Sequence, residues 1–395
     1  MSDASPPQVS TTADRWSSSR FKIGLFGYLH SGGNAFSSAP ERWGAQWPDI
    51  VRMAVLADTA NLDFLLPVAR WSGVRSDVDN RLHSFETLTQ AAALACITRQ
   101  ITLFSTVHAP LIHPVVAAKA MTTVDHASQG RAAINIVCGW NEDDFGMFGL
   151  TPQPHEARYA HGQEWFEIWS KLVAGAPERF DYDGVYFSGL KGLQAMPGSI
   201  RRPRPTVLSA AFSSTGRDFA VRTSDLLLTP LVSIEDGQRD VADFAARSAR
   251  LGRPDSPGVL TVAYVVCRET REEAEAFHTH YADHCADRGA IDDWLRSRRR
   301  TALLPEALYQ EQLRMAGGNG AFPLIGTPED VLAGLLAIEA AGFAGVGLSF
   351  FNFADELPFF LQRVLPLWTA AHNQAASAES GLRKSAKRFS ARNPL

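Results

Sequence analysis

The sequence predicts an α/β fold of the (β/α)8 TIM-barrel class, with insertions. Three observations carry that expectation. Eight short apolar runs alternate along the chain with segments of helical period. Each run lacks the strict apolar–polar alternation of a half-exposed strand, so it suits burial on both faces, as in a parallel sheet. The segments between the runs read as crossover helices, and eight parallel strands joined by crossovers close into a barrel. An open doubly wound sheet is the alternative on pattern alone. At 395 residues the chain is long for one core, but barrels routinely exceed ordinary domain size as single units.

The candidate strands are KIGLFG (22–27), DFLLPV (63–68), ITLFSTV (101–107), AAINIVC (132–138), TVLSAA (206–211), DLLLTP (225–230), LTVAYVVC (260–267) and GVGLSFF (345–351). Between the first two, WPDIVRMAVLADTAN places Ile50, Met53, Ala54 and Ala57 on one helical face. HSFETLTQAAALACIT does the same with Leu88, Ala91, Ala92 and Ala95. TPEDVLAGLLAIEAAG opens with Thr327 as N-cap, Pro328 at N1 and Asp330 at N3, and should stop at Gly342. FDYDGVYFSG (180–189) has a turn at Asp183-Gly184 between aromatic arms, which signals a hairpin.

The barrel should span residues 21–373. Residues 271–325 are too long for one crossover and predict an insertion over the C-terminal mouth, a lid or an interface element. Residues 1–20 are rich in Ser, Thr and Pro, and 374–395 are small, basic and aperiodic; both ends are expected to be disordered and flexible.

Hydrophobic residues at 45%, charged residues at 20% and a net charge of -4 fit a soluble protein with no electrostatic footprint for nucleic acid or an anionic membrane. No run of about 18 apolar residues predicts a spanning helix, and the polar N-terminus does not read as a secretory signal. Cys96, Cys138, Cys267 and Cys285 are scattered without a CxxC pair, which suits free thiols in a reducing cytosol. The expectation is a cytoplasmic protein.

No metal site is expected. HTH at 278–280 lies in a helical segment, where residues i and i+2 point about 200° apart. HSGGNAF after the first strand matches neither dinucleotide- nor phosphate-loop spacing, and no GxSxG elbow is present. SAAFSSTGRDFA reads better. Ser213, Ser214 and Thr215 precede Gly216 and a helix start, a hydroxyl-rich turn with free backbone N–H groups that suits a phosphate. A plain Ser/Thr N-cap is the alternative. Arg158-Tyr159 at another helix start offers a second anion grip.

Asn135 is an amide inside an otherwise apolar strand, where burial without a partner costs several kcal/mol. It is either satisfied by a neighbouring strand or faces a barrel mouth, where sites are built. Thr106, His108, Asn135 and Trp140 then fall at the ends of adjacent strands, a convergence of polar and aromatic groups that suits a small-molecule pocket.

The stretch SFETLTQAAALACITRQITLFSTVHAPLIHPVVAAKAMTTVDHASQGRAAINIVCGW resembles the bacterial-luciferase-like flavin monooxygenases, near the pyrimidine-ring-opening, dimethylsulfone and alkanesulfonate monooxygenases. HEARYAHGQEWFEIW, SSTGRDFAVRTSD and FPLIGTPEDVLAGL extend the likeness to about residues 21–370. The resemblance implies a barrel that binds FMN, taken up as FMNH2 from a separate NAD(P)H:flavin reductase. It also implies flavin-peroxide attack, using O2, on a small organic substrate (an organosulfur compound, N-heterocycle or amide) with C–S, C–N or related bond cleavage, in a homodimer or homotetramer. On this resemblance Ser213, Ser214 and Gly216 with Tyr159 hold the phosphate. Thr106, His108, Asn135 and Trp140 line the ring and the oxygen pocket, Thr106 and Asn135 steering the oxygen. PVARWSG departs from the family after the second strand, which makes Arg70 and Trp71 candidate substrate contacts, with Phe351 of SFFNF a third; pairing of Arg70 with an acidic lid residue, and a packed barrel rim for SFFNF, are the alternatives. An F420-dependent oxidoreductase on the same fold, or a non-catalytic flavin-binding protein, are the other readings.

Overall fold

Eight parallel strands close into a barrel in the computed structural model, which describes Trp16 and residues 20–74, 76, 78–139, 141–253, 258–297 and 305–374, without the side chains of 293–297 and 305–307. The strands are β1 (Lys22–Phe26), β2 (Phe64–Leu66), β3 (Thr102–His108), β4 (Ala132–Val137), β5 (Ala176–Tyr182), β6 (Leu190–Ala195), β7 (Thr206–Ala210), β8 (Leu226–Leu228), β9 (Gly258–Cys267), β10 (Phe322–Gly326) and β11 (Gly345–Phe350). The wall runs β1-β2-β3-β4-β7-β8-β9-β11 and returns to β1. Pairing of Leu226–Leu228 with Gly258–Leu260 closes it, which excludes the open sheet. Each of the eight expected runs supplies one wall strand.

The helices are α1 (Trp47–Thr59), α2 (Thr87–Ala95), α3 (Pro114–Ala127), α4 (Glu142–Met147), α5 (His155–Ala174), α6 (Ser214–Thr223), α7 (Ile234–Arg250), α8 (Arg271–Thr279), α9 (Arg288–Ser297), α10 (Pro305–Gly318), α11 (Pro328–Ala340) and α12 (Phe353–Arg363). Helix α1 buries Ile50, Met53, Ala54 and Ala57. Helix α11 begins with a capping box between Thr327 and Asp330 and ends before Gly342 at φ 93°. Among the described residues no helix is long and apolar enough to cross a membrane.

Because side chains alternate along a strand, the wall separates two cores. Ile134 and Ile136 of β4 and Leu103 and Val107 of β3 pack outward with the helices. Phe64, Leu66, Phe104, Ala133, Leu208 and Leu260 fill the barrel. Gly24 permits this filling: a Cβ there would meet the Phe64 ring at 2.4 Å. Two residues beyond Phe104 and Ala133 the inward positions turn polar, at Thr106 and Asn135, which are register partners. The site begins at this step.

Two features differ from the sequence reading. Strand β10, inside the stretch read as insertion, pairs in parallel with the upper half of β9. The hairpin exists as β5–β6, but Tyr182 pairs with Leu190, so residues 183–189 form a loop rather than a tight Asp-Gly turn. The Glu164 carboxylate accepts from the backbone N–H groups of Val185, Tyr186 and Phe187 and holds that loop wide. At the N-terminus, Trp16 packs against Phe64 and Phe104 at 5.9 and 5.8 Å between ring centroids. The rest of 1–19, and the tail from 375, lie outside the described residues.

The insertion carries α8, a π-helical turn (His280–His284), α9 and α10. It has a core of its own, in which Tyr281 and Ala316 pack with Phe36, Tyr264 and Phe351 from the barrel and its loops.

Candidate active site

Strands β3 and β4 end side by side, so their last inward residues meet. Asn135 Nδ2 donates to Thr106 Oγ1 (3.2 Å), and Thr106 Oγ1 donates to the Pro67 carbonyl at the end of β2 (2.5 Å). The amide hydrogen bond leaves Asn135 Oδ1 buried with no partner among the described residues. Neither account of Asn135 was complete: the neighbouring strand satisfies its nitrogen, while its oxygen is left for something else.

His108, one inward position above Thr106, is buried, and its Nδ1 also has no partner among the described residues. Burial pushes its pKa down to about 4; the Asp144 carboxylate opposes that shift and the Arg70 charge adds to it. The imidazole is therefore neutral at pH 7, with one nitrogen able to accept. Asp144 is 1% exposed. Its Oδ1 accepts from the Trp71 and Ser72 backbone N–H groups (3.3 and 2.9 Å) and the Ser72 hydroxyl (2.8 Å). That fixes the loop after β2 against α4. Trp71 sits edge-on to Phe148, ring centroids 5.0 Å apart.

Arg70, Trp71, Thr106 and His108 line one cavity of about 260 Å³, completed by residues of the loop before α2 and by Ile112. The volume and its mixed polar and aromatic wall suit a small organic molecule. Glu86 also lines it, but its carboxylate faces the start of α2, accepting from the Leu88 and Thr89 N–H groups.

Across the rim, Ser213 is the N-cap of α6 and its hydroxyl accepts from Gly216 N–H (3.1 Å). The Tyr159 hydroxyl from α5 hydrogen-bonds Ser213, and burial raises its pKa. A Cβ on Gly216 would lie 2.4 Å from that hydroxyl, so glycine is what lets the phenol close on the helix start. Ser214 is exposed and its hydroxyl accepts from Arg247 Nη1 (3.0 Å), on the α7 side. Arg158 donates to the Gly139 carbonyl just past β4, while its Nε is buried without a partner.

Thr106, His108, Asn135, Arg70 and Trp71 are thus gathered at one side of the mouth, and Arg158, Tyr159, Ser213 and Gly216 at another. Phe351 is elsewhere: it stacks on Tyr281 at 4.1 Å in the core of the insertion and does not line the cavity. Trp140 lies outside the described residues. Asp144 was missed because its run of acids reads as a solvated face. His30 and Arg81, both fully buried near Arg70, were missed because they sit in loops without periodicity.

The family model for luciferase-like monooxygenases matches residues 22–345. Over 364 residues the chain is 28% identical to an FMNH2-dependent dimethylsulfone monooxygenase of Pseudomonas fluorescens (strain Pf0-1), covering 89% of this chain and 95% of the relative. It is 25% identical to the pyrimidine monooxygenase RutA of Variovorax paradoxus (strain S110), covering 87% and 94%. Among solved structures, a riboflavin lyase (RcaE) with modified FMN and riboflavin superposes with a TM-score of 0.80 at 22% identity, covering 89% of this chain and 92% of that one.

Proposed function

The chain belongs to the luciferase-like monooxygenase family, and from that premise we propose that it is the oxygenase of a two-component system. In this reading it takes FMNH2 from a separate NAD(P)H:flavin reductase and uses O2 to oxygenate a small organic substrate, with cleavage of a C–S, C–N or related bond. The relatives that span nearly its whole length are an FMNH2-dependent dimethylsulfone monooxygenase and a pyrimidine monooxygenase, which supports both the cofactor and the reaction class.

The residues at the mouth fit FMN. The orphaned Asn135 Oδ1, His108 Nδ1 and Arg158 Nε are buried polar atoms that only a ligand or water would satisfy. The Ser213–Gly216–Tyr159 cradle is a helix start with free N–H groups and no side chain in the way, as a phosphate needs. Ser213 and Tyr159 would hold the phosphate through hydroxyls, Ser214 through its backbone N–H and Arg158 through charge, while Gly216, whose N–H is held by the Ser213 cap, leaves room for the Tyr159 phenol.

Bound there, reduced FMN would supply the two electrons and the activation of O2. The chain's own residues do the rest. Thr106 and Asn135, each fixed by the other, present a hydroxyl and an amide at one point above the packed barrel layer. Asn135 is thereby positioned to orient oxygen chemistry without reorganising. Neutral His108 holds or accepts a proton at Nδ1 beside the cavity. Trp71 and the apolar layer of Phe64 and Phe104 keep water out from the sides and below. We extend the proposal to a cytoplasmic homodimer or homotetramer, which light scattering measures.

The single observation that carries the reading is the Thr106–Asn135 pair, with its orphaned oxygen, at the C-terminal rim of a luciferase-like barrel. The test combines the protein with FMN, a flavin reductase, NADH and 18O2 over a panel of sulfones, sulfonates, uracils and cyclic amides. One substrate should yield a product carrying a single 18O atom. Absence of FMN binding, or tight binding of F420 in its place, would overturn the assignment.

A further inference from the structure

Residues 29–31, just past β1, run antiparallel beside 81–85. The Ser31 N–H donates to the His83 carbonyl (2.8 Å), Arg81 N–H to Ser31 (3.0 Å) and Phe85 N–H to Leu29 (3.4 Å). This pairing drives the Arg81 side chain inward, where it is 2% exposed. Its backbone is held at φ 63°, which costs a non-glycine residue free energy. All three guanidinium nitrogens are buried and none has a hydrogen-bond acceptor among the described residues. The guanidinium lies 4.4 Å from the centroid of the Phe36 ring, which offsets part of the charge but satisfies no N–H.

The same molecule shows what a structural buried arginine looks like. Arg131, also buried, donates to the carbonyls of Ser128, Ile101, Ala95 and Thr98 and to the Thr98 hydroxyl. Arg81 has no equivalent. Among the described residues, the carboxylates bonded to this loop are committed elsewhere. Asp79 accepts from the Ser31 hydroxyl and the Leu82 and His83 N–H groups, and Asp287 from Ser76 and Asn80. The charged groups that act on Arg81 and on the neighbouring, fully buried His30 are cationic: Arg70 on Arg81, and both arginines on His30. The His30 Nε2 has no partner either. Burial, and after it the Arg70 charge, disfavours the charged form of this guanidinium, and no anion among the described residues offsets that, so the site suits an anion that arrives with a ligand.

We propose that Arg81, with Arg70 and His30, is the recognition site for the carboxylate or sulfonate group of the substrate. Arg70 joins this site to the cavity, since it also lines the space shared with Thr106 and His108. An anion held by the two arginines leaves the organic part of the molecule directed at the proposed oxygenation site. The inference rests on the oxygenase reading for the fate of the substrate, but the binding itself is independent of flavin.

The test titrates the full-length, FMN-free protein with ethanesulfonate, propionate and the neutral ethyl methyl sulfone at constant ionic strength, by calorimetry and thermal melting. At least one anion should bind and raise Tm while the neutral sulfone does neither; the tighter of the two tells sulfonate from carboxylate. Arg81→Met should weaken anion binding by about thirtyfold or more and, without ligand, melt above the wild type, because it removes an uncompensated buried charge. Arg81→Gln serves where the Met variant does not fold, and the wild-type comparison needs no variant. Equal binding of anion and sulfone, or wild-type anion affinity in Arg81→Met, would overturn the proposal. FMN titration in parallel, followed by quenching of flavin fluorescence, reads the oxygenase assignment separately.

Discussion

Asn135 is bound on one side only: its nitrogen has Thr106 and its oxygen has nothing. A half-satisfied buried amide carries a desolvation penalty of about 1–3 kcal/mol. Asn135→Leu, similar in volume, should therefore raise ligand-free stability by about 1 kcal/mol in urea unfolding. It should also lower oxygenation of the cognate substrate by about a hundredfold, with FMN affinity little changed. A destabilised Asn135→Leu with intact turnover would mark the residue as packing. Such conflicts between local stability and retained chemistry made Asn135 legible in the sequence, since an amide amid Ala133, Ile134 and Ile136 is visible without a structure. Arg81 and Asp144 were not legible. Their burial comes from loops that fold back from far along the chain, and no local period announces it.

Elements were most legible where burial is uniform. Parallel strands covered on both faces are continuous apolar runs, and each expected run holds its strand. Strand β10 escaped because it falls in the stretch read as an insertion and carries Pro323, which argues against a strand. Proline is tolerated there because β10 is an edge, pairing only with β9, so its missing N–H faces no neighbour. The α6 start was legible as a cap but ambiguous as a phosphate site, because one Ser serves both. Geometry separates the two hydroxyls. Ser213→Ala removes an N-cap and a Tyr159 partner, so it should cost about 1 kcal/mol of stability and about tenfold in FMN affinity. Ser214→Ala, whose hydroxyl faces Arg247, should leave FMN affinity within about twofold, and Gly216→Ala should weaken it more than either by displacing Tyr159. Fluorescence titration of the three variants ranks them; a larger loss in Ser214→Ala than in Ser213→Ala would reverse the assignment of the grip.

Across the whole molecule, the mouth is a place where bases are buried neutral. His30 lies after β1, His108 at the end of β3, and His278 on α8 of the insertion, where it shares a hydrogen bond with Tyr264 Oη (3.1 Å). Burial lowers all three, His108 and His278 to about 4 and His30 well below its usual value. A histidine whose folded pKa lies below its unfolded value near 6.5 leaves the unfolded chain binding the extra proton. Stability is then full above pH 6.5 and falls as the pH drops toward 4. At pH 5 the loss for His108 or His278 is on the order of 2 kcal/mol each in the ligand-free protein. Glu356 runs the other way, because burial raises its pKa against the pull of Arg268, so acid favours the fold through that group. Single-site comparison isolates the histidine effect. His278→Gln, which cannot titrate, should unfold with a shallower dependence on pH between 6.5 and 4.5 than the wild type. Urea midpoints at four pH values measure it, and parallel curves for the two proteins would show that His278 is not held neutral by the fold.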